Sequence, residues 1–328
     1  MGRHPGALAE ARKVTDRMPT NAGRVAIFSP NPLLTVTIEA RADGADDIHL
    51  HAGGQGVWVA RAAGEVGAVP ILCGLVGGET GAVLEPLLER LPGELRLAQA
   101  AGSSGCYVVD RRSGDRRVVS STSAPSASRH EYDDLFSLTT AAALESAVLV
   151  ICNSYPAETL PLELYGGLAA DAGAETLVAL DLSSPRLDSA LEGKPDLVKI
   201  NDWELAQFVS GSVDGAKRLR AAAERLRERG ARDVIITRGA EPALVLHGES
   251  AWWLVPPRFE RGYREGCGDT MMGALAAALS LGRPFEDAVR IGAAAGATNF
   301  LRHGLGSGER AAIEEILPSV ELRPFEEP

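Results

Sequence analysis

Cysteine is scarce in this 328-residue chain. Cys73, Cys106, Cys152 and Cys267 are its four thiols, and no two share C-x-x-C spacing. That excludes a disulfide framework and a paired-thiol metal or redox motif, and it suits a reducing cytoplasm. No apolar run approaches the ~20 residues of a membrane-spanning helix. Basic charge is in deficit, with Lys and Arg numbering 33 against 44 Asp and Glu, a net charge of −11. A general nucleic-acid or anionic-membrane binder would carry the opposite balance, so neither partner is expected. An anionic substrate must then be captured by a local cradle or a metal, against the field of the whole molecule. No G-x-G-x-x-G follows the first strand pattern, and the glycines of 74–81 (GLVGGETG) are wrongly spaced, which counts against a dehydrogenase. Internal repeats, heptads and low-complexity tracts are missing too. The opening residues lack an apolar leader core and read as a disordered tail over 1–23, with Met18 a candidate natural start.

What is present is a 45 % hydrophobic content, enough for one large core. Short β-branched runs at 24–28, 69–76, 147–152, 176–180, 197–200 and 234–237 alternate with helical segments at 56–67, 81–90, 160–172, 215–229, 270–281 and 285–301. Such alternation predicts a doubly wound, mostly parallel sheet with helices on both faces. Two polar hairpins, around 33–51 and 105–121, do not fit that core and predict a small β lid. One domain over 24–328 is expected. In such sheets ligands bind beyond the carboxyl ends of the strands.

Four constellations fall there. The first is Gly266-Cys267-Gly268-Asp269-Thr270, heading an alanine-rich stretch. Glycines let successive N–H groups aim at one point, and the helix start adds positive potential, making an anion cradle. A carboxylate beside it is placed to take a proton from an attacking hydroxyl, without needing an unusual pKa; the plain alternative is a helix cap. The second is Asn201 with Glu204, three apart where a strand meets a helix. The pair suits Mg²⁺, or closes a capping box, and the two can coexist. The third is Thr237-Arg238-Gly239, which lines a nucleotide or merely turns the chain. The fourth is Gly53-Gly54-Gln55-Gly56, which lets a small polar ligand approach backbone N–H groups, or simply joins hairpin to helix.

Order and spacing make these weak signals specific together. From Arg24 to Phe325 the chain resembles the PfkB (ribokinase-like) carbohydrate kinases, in their 1-phosphofructokinase and tagatose-6-phosphate kinase branch. The likeness lies in SPNP, HAGGQGVWVARA, LPLELYGGL, DLSSPRL, VKINDWEL, ITRGAEPALVL, GCGDTMMGAL and GAAAGATNF. It implies an ATP-dependent phosphotransferase of ribokinase-like fold acting on a hydroxyl of a small carbohydrate or sugar phosphate. Asp269 would be the general base, and the N–H groups of Gly266, Cys267 and Gly268 the anion hole. Asn201 and Glu204 would organise Mg²⁺. Lys199, Thr237, Gly239 and Asn299 would line the nucleotide. Asn31, Gly53 and Gly54 would face the sugar, with Gln55 and Trp58 beside it. The hairpins would form the lid, which in this family often also joins two copies as a homodimer.

The acceptor side departs from the branch. Thr35 stands for an aspartate, Gln55 for a lysine and Trp58 for an asparagine, and Ser104-Gly105-Cys106 occupies the region of an expected arginine. A buried phosphate needs cationic or N–H partners, so these losses put the phosphosugar in question. Trp58 either fills the hexose space, stacks on a ring, or packs in a helix. Arg264 replaces a small residue, as a phosphate contact or a solvated side chain. Pro242 replaces a glycine of the nucleotide loop, and Cys267 a commoner alanine that leaves the N–H intact. Two alternatives follow from that drift: a nucleoside or other non-sugar kinase, or a non-catalytic sugar- or nucleotide-binding regulator on the same scaffold.

Overall fold

The computed structural model describes residues 21–124, 126–153, 160–301 and 308–326. In chain order its elements are β1 (Arg24–Phe28), β2 (Leu33–Ala40), β3 (Asp46–Gly53), α1 (Gln55–Val66), β4 (Val69–Gly77), α2 (Gly78–Leu88) and β5 (Glu94–Ala100). There follow β6 (Cys106–Asp110), β7 (Arg117–Thr122), α3 (Arg129–Leu144), β8 (Val148–Cys152), α4 (Glu163–Asp171), β9 (Leu177–Asp181), α5 (Arg186–Glu192) and β10 (Leu197–Asn201). The chain ends with α6 (Asp202–Phe208), α7 (Ala216–Glu228), β11 (Asp233–Arg238), β12 (Glu241–His247), β13 (Ser250–Val255), α8 (Cys267–Ser280), α9 (Phe285–Leu301), α10 (Arg310–Ile316), a 3₁₀ turn, and β14 (Glu321–Pro324).

Ten strands form one sheet in the order β14-β13-β12-β11-β10-β9-β8-β1-β4-β5. Its seven strands from β11 to β5 run parallel, and β12, β13 and β14 close one edge antiparallel. The parallel strands are apolar on both faces because both are covered. Val25 and Ile27 of β1 enter the layer holding α1, α8 and α9, while Ala26 and Phe28 enter the layer holding α3, α4, α5 and α7. The doubly wound expectation therefore holds. The chain winds outward through β1, β4 and β5 and then returns to β8 on β1's other side, so the sheet's topological switch lies between β1 and β8. Such a switch opens a crevice at the strands' carboxyl ends.

Helix α8 is apolar nearly all round, as a helix buried between neighbours should be. Ten of its residues are buried. Gly273 makes the packing against α1 work, since a side chain there would collide with the Val59 carbonyl and Ala62. By contrast α7 carries Leu219, Ala222, Ala223 and Leu226 on one buried stripe and charges elsewhere, the pattern of a surface helix.

The two hairpins combine as expected into a separate four-stranded sheet, β3-β2-β6-β7, with β2 and β6 parallel at its centre. One edge of the expected tail differs. Residues 21–23 form a turn anchored to the body, where Gly23 N–H donates to the Ser280 carbonyl at 2.8 Å and Asn21 Nδ2 donates to the Leu144 carbonyl. Residues 1–20 lie outside the described residues. Among the described residues no helix is long and apolar enough to cross a membrane.

Candidate active site

Helix α8 packs against β1, β8 and β9, and Lys199 of β10 reaches its start at Gly268. Gly266 caps that helix at φ +76°, a left-handed backbone that other residues adopt only under strain. Cys267 and Gly268 follow as its opening residues; the Gly268 N–H belongs to the first turn that helix bonds leave open, while the Cys267 N–H donates to the Arg264 carbonyl at 3.3 Å. Thr270 donates both its N–H (2.9 Å) and its hydroxyl (2.7 Å) to the Gly266 carbonyl, which fixes the cap. The loop before it is held from two directions. Asn299, 1 % exposed, donates from Nδ2 to the Glu265 carbonyl at 2.9 Å and to Cys267 Sγ at 3.5 Å. The lid's β6–β7 turn reaches it as well, with Tyr263 hydroxyl donating to the Gly114 carbonyl and Arg116 pairing with Glu265 at 3.7 Å. Asn299, placed on the nucleotide from sequence, thus braces the cradle from beneath. Burial pushes the Cys267 thiol up, and the thiol donates to the Tyr263 carbonyl, so Cys267 behaves as a small packed residue.

Asp269 sits in the first turn of α8 beside those N–H groups. Burial pushes its carboxyl up to about 7, the charge of Asp181 adds to the rise, and Lys199 and a hydrogen bond from Gln55 oppose it. The sequence reading required no unusual pKa of Asp269; the fold gives it one, because charges converge here as no local sequence pattern reveals. The centre of that convergence is Lys199, 4 % exposed, whose ammonium pairs with Asp181 at 2.8 Å and donates to the Gly268 carbonyl at 3.2 Å. Burial works against its charge, but Asp181 and Asp269 outweigh burial and hold it protonated. Lys199 thus lies under the cradle, tying it to β9.

Asn201 and Glu204 close a capping box: Glu204 N–H donates to Asn201 Oδ1 at 2.8 Å and Asn201 N–H donates to Glu204 Oε2 at 3.2 Å. Burial raises the Glu204 carboxyl, with the Asp181 charge adding to it. A cation between Glu204 and Asp181 would relieve that repulsion, so this oxygen donor set fits Mg²⁺. Among the described residues no cluster of three or more His, Cys, Asp or Glu is arranged to hold a metal, so the ion would keep waters or ligand phosphates in its shell, as Mg²⁺ does. Thr237, next to last in β11, pairs beside Asn201, and Gly239 is an exposed turn residue at φ +62°. The segment turns the chain between β11 and β12, as the plainer of its two readings has it. Arg264 is exposed.

Asn31, after β1, lies with its carbonyl against Gly54, and Gly53 and Gly54 lead into α1 at Gln55. Gln55 is committed to the protein itself. Its Nε2 donates to the Asp181 carbonyl at 3.2 Å, it hydrogen-bonds Asp269, and its Oε1 accepts from Asn153 N–H at 2.8 Å. Trp58 packs, half-buried, against the apolar layer of α1 and α8, the packing alternative of its sequence reading. Sequence reading passed over Asp181, Asn153 and Arg186. For Asp181 a signal existed, a lone acid ending the apolar run LVALD.

The sequence matches the pfkB family carbohydrate kinase profile over residues 34–312. It is 30 % identical over 292 residues to the 1-phosphofructokinase of Rhodobacter capsulatus, covering 83 % of this chain and 88 % of that one. It is 31 % identical over 260 residues to the ATP-dependent 6-phosphofructokinase isozyme 2 of Escherichia coli, covering 77 % and 82 %. Among solved structures, phosphofructokinase-2 from Escherichia coli in complex with potassium superposes with a TM-score of 0.80 at 25 % identity, over 90 % of this chain and 98 % of that one. A ribokinase from Thermotoga maritima, 18 % identical, shares the fold with a TM-score of 0.71 over 90 % of this chain and 99 % of that one. A left-handed glycine cap, a first-turn aspartate and an acid-lined strand edge thus sit on a fold and sequence shared across this group, and the chain belongs to the PfkB family of ATP-dependent carbohydrate kinases.

Proposed function

We propose that the protein transfers the γ-phosphoryl group of ATP to a hydroxyl of a sugar phosphate, in the manner named by its 1-phosphofructokinase relatives. The observation that carries the reading is Asp269: a carboxylate beside three backbone N–H groups at a buried helix start, with its pKa lifted to about 7. A base of that strength at neutral pH is matched to taking the proton of an alcohol as it attacks phosphorus. The acceptor oxygen forms its bond to phosphorus as the bond to the ADP oxygen breaks, and the proton passes to Asp269. The N–H groups of Gly266, Cys267 and Gly268 face the equatorial oxygens where charge concentrates. Lys199 holds Asp181 and the cradle in fixed relation, so little reorganisation is needed during transfer. Mg²⁺, when bound, supplies charge neutralisation on the phosphates, and Glu204, Asp181 and Asn201 would hold it, partly through water. Thr237 and Gly239 line the nucleotide; Asn31 and the Gly53-Gly54 backbone face the sugar.

The four-stranded sheet serves as a lid that excludes water. Ile48 and Leu50 of β3 and Val118 and Val119 of β7 are exposed on it, at 62, 50, 45 and 47 %. Such apolar surface suits a second copy of the chain, and a cytoplasmic homodimer is our reading. Trp58 packs into the core, so the nucleoside alternative loses the stacking platform that suggested it. The test is Asp269→Asn, which keeps size and shape but removes the base. Turnover falls roughly 10²–10⁴-fold while ATP still binds in calorimetry. Near-parental phosphotransfer by this variant defeats the assignment.

A further inference from the structure

Among the described residues Arg186 is a cation with no counter-charge. It is 6 % exposed, and no carboxylate among the described residues pairs with it. Its Nε donates to Asn153 Oδ1 at 3.1 Å, while its Nη1 is buried with no hydrogen-bond partner. The Ser184 hydroxyl, two residues earlier, is buried and unpartnered as well. Desolvating a guanidinium without a paired anion is among the costlier arrangements a fold can hold.

Its position explains the arrangement. In the sheet order, β10 and β11 carry the donor-side residues, and β1 and β8 lie on the far side of β9. Arg186 follows β9 yet turns to β8, where Asn153 Oδ1 also accepts from Ser183 N–H (3.1 Å) and hydroxyl (3.4 Å). The Asn153 N–H donates in turn to Gln55, and Gln55 hydrogen-bonds Asp269. Arg186 is thus one asparagine and one glutamine away from the base, on the acceptor's side. Gln55 brings no charge to this region, so a cation for an anionic acceptor has to come from elsewhere, and Arg186 is buried in the right quarter with donors to spare.

Building on the sugar-phosphate reading above, we propose that Arg186, with the Ser184 hydroxyl, is the subsite for the acceptor's own phosphate. The planar guanidinium is suited to grip two phosphate oxygens at once, and the bond to Asn153 holds it ready. Acceptor binding supplies the missing anion.

Kinetics of the full chain with fructose 1-phosphate, against Arg186→Gln and Arg186→Lys, decide this. A charge-assisted contact of the usual strength predicts that Arg186→Gln raises KM for the sugar phosphate roughly 10–100-fold while KM for MgATP stays put. Arg186→Lys recovers part of the loss, because it keeps the charge but not the fork. An unchanged sugar-phosphate KM overturns the proposal. If the parent phosphorylates no sugar phosphate, the functional reading fails instead, and inorganic phosphate settles Arg186 by thermal melting. A rise in Tm for the parent that Arg186→Gln abolishes supports the subsite; no rise, or an equal rise in both, refutes it. Arg186→Met adds a readout of its own. A residue retained for binding leaves Tm unchanged or higher when replaced by an apolar side chain, and a purely structural arginine lowers it. Should Arg186→Gln fail to fold, Ser184→Ala carries the kinetic test, with a severalfold rise in KM expected and no change counting against the subsite.

Discussion

The two sides of Asp269 balance charge differently. Toward β10, Lys199 answers Asp181, and Glu204 is bound into a capping box with Asn201. Toward β8, the groups that reach Asp269 are neutral amides, Gln55 and then Asn153, and the nearest cation behind them, Arg186, has an orphaned Nη1. The donor side is pre-organised by the protein's own ion pair. The acceptor side is organised by hydrogen bonds and leaves charge for a ligand to complete. On this reading a scaffold of this kind can keep its chemistry while its acceptor changes, because the two sides meet at few points, Asp269 and the Gln55–Asp181 hydrogen bond.

Each side of that contrast can be broken separately. The largest effect belongs to Asp269→Asn, the shared point, through the loss of turnover already described. Next comes Lys199→Met, which strands Asp181 and lowers stability by about 3–5 kcal/mol in denaturant melts. A loss under about 1 kcal/mol would mean that the pair is effectively solvated and the donor side not pre-organised. The pH profile sharpens the comparison further. With Asp269 titrating at about 7, kcat/KM for the acceptor falls about tenfold per unit as pH drops below that value. A limb displaced to the ordinary carboxylate range would show that burial does not govern the base. The same shift has a stability sign. The folded-state pKa lies above the ordinary carboxylate value, so folding is favoured while Asp269 is protonated and loses that advantage as pH rises toward 7. Asp269→Asn, which mimics the protonated form, therefore melts higher than the parent at pH 8. The smallest effect is Glu204→Gln, expected to raise the Mg²⁺ requirement severalfold in a metal titration; an identical curve would remove Glu204 from the metal.

Much of this was legible locally. The glycine-capped helix start and its aspartate announce themselves in five consecutive residues, and the hairpins of the four-stranded sheet in their alternation and turns. The antiparallel edge was not, because β14 pairs with β13 from some seventy residues away and β12 reads as part of a nucleotide-loop motif. The charge network was equally hidden. Asp181 and Lys199 are 18 residues apart and become partners only because β9 and β10 are neighbours. Arg186 reaches Asn153 across 33 residues, and Asn299 reaches Glu265 across 34. Such pairs depend on strand order, which no short window of sequence encodes. For the same reason the hydrogen bonds from Gln55 to Asp181 and from Asn299 to Glu265 are invisible in the sequence.

The central claim is that phosphoryl transfer happens at the head of α8, between its first amides and Asp269. A crystal structure of the full chain with Mg²⁺, a non-hydrolysable ATP analogue and a sugar phosphate tests it most directly. The account predicts the terminal phosphate against the N–H groups of residues 266–268 and an acceptor hydroxyl within hydrogen-bond reach of the Asp269 carboxylate. A terminal phosphate bound away from that helix start, or an acceptor whose hydroxyls all lie beyond Asp269, would contradict it.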